Sequence, residues 1–296
     1  MDSSINYFDP KIVEMVDLIK RIHPKPTLVD FYEEMSSQSV RSTLRLWTSE
    51  DQLVGFAYVD DYNNLRFETD PSCSFLEDME AEIVEWGVLC MKKRNAETGI
   101  EDSLDYSCIA DDSQLIYLMD RNGFIPQPVR SLHYSRPLDL PVTEFSLPEG
   151  FSIRCVQGKS EVDKLVDLHQ AAFGTSNMTI EQRTAMMSVP QYEPEMDLVA
   201  VAPNGELAAF CVCGFDDAEK QVGYTDPIGT HPGYRRIGLG KAIVSSGMQM
   251  LKTRNAKVVE LGTSSDNLAM QGLADALGFE RVSERLWFSK TVSYEN

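Results

Sequence analysis

The chain carries one order of segments twice. Residues 49–59 (SEDQLVGFAYV) parallel 203–213 (PNGELAAFCVC), and Thr69-Asp70-Pro71 parallels Thr230-His231-Pro232. Residues 118–124 (LMDRNGF) parallel 273–279 (LADALGF), and 131–136 parallel 284–290. Four matches in the same order mark an internal duplication, and a repeat this long is two copies of one domain, not a solenoid. The length of 296 residues also suits two domains of typical size. A proline-rich stretch from Pro137 through Pro141 to Pro148-Glu149-Gly150 reads as a linker or an extended crossover strand between the copies. The expected domains are 1–145 and 146–296.

Periodicity gives the elements of the second copy. Val162, Leu165, Val166, His169 and Phe173 fall at helical spacing over 160–173. The apolar runs 197–202 and 206–215 flank Pro203-Asn204-Gly205, and Asn-Gly between such runs predicts a hairpin. Residues 221–230 read as a further strand in which Pro227 must break the hydrogen-bond ladder or sit at a bulge. A helix over 238–254, a strand over 256–262, a helix over 267–277 and a strand over 281–290 complete the pattern. Hairpins followed by strand–helix alternation predict an α+β fold (an α/β mixed sheet) of six or seven strands per copy.

Composition narrows the partners. With 43% hydrophobic and 25% charged residues, the chain is ordinary globular material. No apolar run nears the ~20 residues of a membrane-spanning helix, and the first residues carry no basic region of a signal peptide. Cys73, Cys90, Cys108, Cys155, Cys211 and Cys213 form no CxxC pair, so neither a disulfide framework nor a metal site is expected. A cytoplasmic protein is the expectation. The net charge of −19 divides into −14 over 1–147 and −5 over 148–296. Such a surface repels nucleic acid and anionic membranes, so an anionic ligand needs a local site, and the second half is the better host.

The segment 228–242, IGTHPGYRRIGLGKA, supplies one. A Walker A reading fails because Arg235 and Ala242 stand where glycine and Ser/Thr are required. A dinucleotide fingerprint fails at Ile243, where its third glycine belongs. Arg-x-x-Gly-x-Gly, filled by Arg235, Gly238 and Gly240 at the start of a helix, remains. Glycines there admit an anion close to the backbone, and unpaired N–H groups at the helix start point towards it. Arg235, Arg236 and Lys241 add positive charge. The plainer alternative is a loop whose glycines only ease a tight helix start.

This motif after a strand broken at Pro227, with Asn267 opening a helix that ends at Leu277-Gly278-Phe279, resembles the GNAT acyltransferase superfamily. The tandem arrangement is similar to that of mycothiol-synthase-type double-GNAT proteins. The resemblance implies two tandem GNAT-like domains and an acyl-CoA site made by Ile228, Gly229, Thr230, Arg235, Arg236, Ile237, Gly238, Leu239, Gly240, Lys241, Ala242 and Asn267. It further implies an N-acyltransferase that moves an acetyl group from acetyl-CoA to the primary amine of a small molecule by direct attack, without metal. A bulge at Pro227 and Gly229 would free the N–H near Ile228 as donor to the thioester oxygen. Asp226 is the candidate base, with Tyr224, two residues earlier on the same face, as a second candidate.

Two departures stand out. The family often places a tyrosine seven residues after the asparagine to protonate the leaving thiolate; here that residue is Ala274. Ser264, Ser265, Tyr294 or water would have to substitute, and a non-catalytic acyl-CoA-binding sensor or scaffold is the alternative reading. In the first copy, Ser74, Glu77 and Met79 occupy the positions of Arg235, Gly238 and Gly240, amid seven acids and no Lys or Arg over 68–85. That copy is expected to be degenerate, to bind no CoA and to shape the acceptor cleft. A monomer or homodimer is expected, with a small-molecule amine as partner.

Overall fold

A computed structural model describes residues 9–23, 28–189, 192–215 and 221–293; Tyr294 lies outside the described residues. The first half runs α1 (Pro10–Ile22), α2 (Val29–Ser36), α3 (Gln38–Ser42), β1 (Arg45–Ser49), β2 (Gln52–Val59), β3 (Leu65–Thr69), α4 (Leu76–Thr98), β4 (Ser103–Ile109), α5 (Ser113–Arg121) and β5 (Ile125–Pro137). The second runs β6 (Ser152–Cys155), α6 (Val162–Phe173), α7 (Ile180–Met186), β7 (Asp197–Val201), β8 (Leu207–Phe215), β9 (Val222–Thr230), α8 (Leu239–Thr253), β10 (Val258–Ser264), α9 (Leu268–Ala276) and β11 (Glu280–Thr291). The fold is mixed α+β, and the repeat shows in it: α4, β4, α5 and β5 recur as α8, β10, α9 and β11.

The two compact units are not the two halves of the sequence. One comprises Met1–Ser131 with Glu284–Asn296, the other Leu132–Ser283. The sequence reading divides the chain at 145/146, whereas the units exchange the final strands of the two repeats. Residues from Ser103 to Ile109 in β4 pair antiparallel with Thr291 to Arg285 in β11, while the end of β5 belongs with the second unit. A hydrophobic pattern tells a strand which face to bury and says nothing of which neighbour it pairs with.

In the first unit, β1, β2 and β3 form an antiparallel sheet. The long helix α4 packs Met79, Ile83, Val84 and Met91 onto it and onto β4. Glu77 and Asp78 lie in the first turn of α4, and Met79 is buried with its Sδ 2.6 Å from where a Cβ on Gly55 would stand.

The second unit holds the strand order β5-β10-β9-β8-β7-β6. The expected hairpin is present: β7 and β8 pair antiparallel, and Gly205 takes φ +85° in the turn. Side chains alternate between two cores. On one face, Cys211, Cys213, Val259, Leu261, Leu132 and Tyr134 meet Ile243, Val244, Met248 and Leu251 of α8. On the other, Val199, Phe210 and Val212 meet Val162, Leu165 and Val166 of α6. The proline-rich stretch is neither a free linker nor a strand. Leu138 is buried with its N–H on the Lys257 carbonyl (2.8 Å), and the Thr143 carbonyl accepts from Ser245 Oγ of α8 (2.5 Å). Among the described residues, no helix is long and apolar enough to cross a membrane, and no cluster of His, Cys, Asp and Glu could hold a metal.

Candidate active site

Strand β9 carries the irregularity expected at Pro227. Against β8, Cys213 pairs with Thr225 and Cys211 with Ile228, so Asp226 and Pro227 together face the single residue Val212. Two residues opposing one is a β-bulge, which bends its strand and frees backbone groups. The Asp226–Pro227 peptide bond is cis. On the other edge, β9 pairs in parallel with β10 only over Val222, Gly223 and Tyr224, against Val258, Val259 and Glu260. Both strands continue, β9 to Thr230 and β10 to Ser264. From Thr225 onward the pair opens as a wedge, and one edge of β9 faces it.

The 235–242 segment borders the wedge. Gly238 is the N-cap of α8 at φ +93°, and Arg236 also takes a positive φ of 68°. No side chain caps this end and no acid lies in the first turn. The first helical bond among these residues runs from Ala242 N–H to the Gly238 carbonyl, so the N–H groups of Leu239, Gly240 and Lys241 have no helical acceptor. The helix dipole and these donors favour an anion by about 0.3–1 kcal/mol for the dipole alone. Arg236 and Ile237 are exposed, and Lys241 Nζ stands 5.7 Å above the Phe145 ring.

Arg235 has a different posture. Its Nε donates to the Thr230 carbonyl (3.2 Å) and its Nη2 to the Ala172 carbonyl (2.7 Å). Ala172 lies in the last turn of α6, where carbonyls lack helical partners, so Arg235 ties α6 to the loop. Asn267 caps α9, its Oδ1 accepting from Met270 N–H (3.1 Å). His231 is structural, its Nδ1 accepting from Gly233 N–H (3.1 Å). Ile228, Gly229 and Thr230 follow the bulge on β9, and Leu239 and Ala242 are buried against the core.

Tyr224 and Asp226 share the face away from α8, as the alternation required, but their side chains part. The Tyr224 hydroxyl occupies the space that a Cβ on Gly214 would take, so it leans over β8. Asp226 Oδ2 stands 3.4 Å from the corresponding point on Gly262, so it leans over β10. Bare glycines on the neighbouring strands make room for both. Asp226 is exposed at the wedge and Tyr224 half-buried. Ala274 is fully buried in the core.

Sequence reasoning missed what α6 and α7 do. The Phe210 ring lies across the β9 backbone, its Cε1 in the space that a Cβ on Gly229 would take, with the Ala172 Cβ 2.9 Å from the same point. Gly229→Ala is therefore expected to destabilise the protein by about 1–3 kcal/mol through overpacking, read as a lower urea midpoint. His169 stacks on Phe210 (5.6 Å between ring centres), and its Nδ1 is buried without a partner among the described residues. Burial, then the nearby Arg183 charge, holds the His169 imidazole below its ordinary value. The unfolded chain then binds this proton more readily than the folded one. Stability should decline as pH falls below about 6.5, and His169→Phe should make the urea midpoint less pH-dependent. Asp197, fully buried at the start of β7, accepts from Arg183 Nη2 of α7 and from the Tyr192 hydroxyl (2.8 Å). Burial pushes the Asp197 carboxyl up, against the pull of Arg183 and Tyr192. Glu193 pairs with Arg254 at the end of α8, so the 192–193 loop is pinned at two points. A helix of seven residues with no long apolar repeat leaves little trace in sequence.

The profile of the acetyltransferase (GNAT) family matches residues 162–279. Mycothiol acetyltransferase of Arthrobacter sp. (strain FB24) is 28% identical over 163 residues, 52% of this chain and 50% of that protein. Mycothiol acetyltransferase of Kineococcus radiotolerans is 31% identical over 149 residues, 49% and 47% of the two chains. The chain thus spans about half the length of the curated relatives it matches. Among solved structures, a tandem GNAT protein from the clavulanic acid biosynthesis pathway superposes with a TM-score of 0.69 at 14% identity, covering 97% of each chain. The second compact unit carries a domain of the acetyltransferase (GNAT) family over residues 162–279, in a chain with the fold of tandem GNAT proteins.

Proposed function

We propose that this protein is an N-acetyltransferase that moves the acetyl group of acetyl-CoA to the primary amine of a small molecule, with its one working site in the second unit. The observation that carries the reading is the wedge between β9 and β10 opening beside the glycine-capped start of α8. It offers a free strand edge, helix N–H donors, and the charges of Arg236 and Lys241 in an otherwise acidic chain. These fit a pyrophosphate followed by an extended amide-bearing arm. The relatives named mycothiol acetyltransferase support acetyl as the transferred group.

On this reading Gly238, Leu239, Gly240, Lys241 and Ala242 hold the pyrophosphate, with Arg236 beside them. Gly229, Thr230, Ile237 and Asn267 line the path to the wedge, and Arg235 braces the loop. The bulge directs the Ile228 N–H at the thioester oxygen as charge develops on it. Asp226 takes one proton from the acceptor ammonium, whose ordinary pKa of about 10 keeps it protonated otherwise. The neutral nitrogen attacks the thioester carbon, the C–S bond breaks, and the thiolate takes up one proton. Tyr224, leaning over β8, forms a wall of the acceptor side. With Ala274 in the core, the second nitrogen proton reaches the thiolate through Ser264, Ser265 or water.

A calorimetric titration with acetyl-CoA tests the reading. One site per chain is expected, because the first unit offers Glu77, Asp78 and Met79 at the equivalent helix start; no binding would overturn it. Asp226→Asn should lower amine-dependent thiol release about 100-fold or more with acetyl-CoA affinity unchanged. The buried Ala274 favours one other reading, a binding protein that holds acyl-CoA without turnover. Binding without thiol release for any amine would identify it.

A further inference from the structure

The face of the second unit's sheet turned away from α8 carries a second titratable group at the mouth of the wedge. Glu260 is the last residue of β10 paired with β9, directly across from Tyr224. Its neighbours Val259 and Leu261 point into the α8 core, so Glu260 and Gly262 share the face of Tyr224 and Asp226. Glu260 Oε2 meets His133 Nε2 at 3.1 Å. His133 lies on β5, between Leu132 and Tyr134, which are buried on the opposite face. Asp226, Glu260 and His133 therefore sit on three adjacent strands, β9, β10 and β5.

Spacing links them. The Asp226 carboxylate leans over Gly262, two residues from Glu260, a separation of about 6–7 Å along a strand. One water molecule spans such a gap. Tyr224, the other titratable side chain of β9 on this face, carries its hydroxyl to the β8 side and does not intervene. The His133 side chain is 42% exposed, so the row ends at solvent.

Acyl transfer to an ammonium sheds two protons from nitrogen. One is taken up by the leaving thiolate and the other must leave the site for each turnover. We propose that Glu260, oriented by His133, receives the departing proton from Asp226 and passes it to solvent. Glu260 and His133 are positioning and proton-exit residues on this view, with Asp226 the group that touches the acceptor. The assignment rests on the acetyltransferase reading. It also makes the site composite, since His133 comes from the first repeat.

The test uses the full chain, acetyl-CoA and two kinds of acceptor. One is a panel of primary alkylamines, which are protonated at pH 7.5; the other is methoxyamine, which is neutral there. Glu260→Gln and His133→Asn should each lower kcat about tenfold with the alkylamines. Both should leave methoxyamine turnover, acetyl-CoA affinity and the urea midpoint as in the parent, and Ser135→Ala on the same strand face should change none of them. Equal losses with both acceptor kinds would show a merely structural role and overturn the proposal, as would unchanged alkylamine rates. Acetyl-CoA binding without thiol release in the parent would overturn it along with catalysis. Absence of acetyl-CoA binding would instead refute the acetyltransferase reading beneath it.

Discussion

Gly238→Glu is expected to lower acetyl-CoA affinity by more than about 100-fold, to the limit of calorimetric detection. Two effects add. The residue sits at φ +93°, a conformation that costs a residue with a Cβ about 1–2 kcal/mol. The new carboxylate would also stand at the helix start proposed to hold the pyrophosphate, opposing the dipole and the phosphate charge. Nothing lies within 4 Å of a Cβ at this position, so the fold itself should tolerate the change. Gly238→Asn separates the two effects, because asparagine accepts left-handed backbone and adds no charge. It should retain most of the affinity. Full affinity in Gly238→Glu would remove α8 from the binding site.

The largest effect on folding is expected from a cut at the boundary that the repeat suggests. A chain of residues 146–296 discards Leu132, Tyr134 and Leu138, which are 3%, 5% and 1% exposed in the core of the second unit. Burying such side chains contributes about 1.5–3 kcal/mol each, against a typical domain stability of 5–15 kcal/mol. The same cut strips β10 of its β5 neighbour and leaves β11 without β4. That chain should lack a cooperative thermal transition by circular dichroism. Residues 132–283, the compact unit itself, should show one. Cooperative unfolding of 146–296 would show that β5 is dispensable.

How far the sequence could be read follows from what its patterns encode. The hairpin at Asn204-Gly205, the bulge at Pro227 and the start of α8 at Gly238 each announce themselves through a residue whose backbone preferences are narrow, and all three stand where the residues place them. The exchange of final strands does not, because 131–136 and 284–290 carry the same alternation and either would satisfy either sheet edge. The divergence of Tyr224 from Asp226 was equally hidden. It depends on Gly214 and Gly262, which lie on other strands and acquire meaning only once β8 and β10 flank β9. The buried Arg183–Asp197–Tyr192 set spans a short helix, a loop and a strand, with no spacing to betray it.

The posture of Arg235 joins two parts of the second unit that lie far apart in sequence. Its guanidinium holds the Thr230 carbonyl, beside the wedge, and the Ala172 carbonyl, at the end of the helix whose Phe173 and His169 pack on Phe210. Any ligand that favours the braced loop also favours that placement of α6. By thermodynamic reciprocity, whatever binds against α6 then tightens the loop's ligand by the same factor. Release of that brace would uncouple the two affinities while sparing each alone.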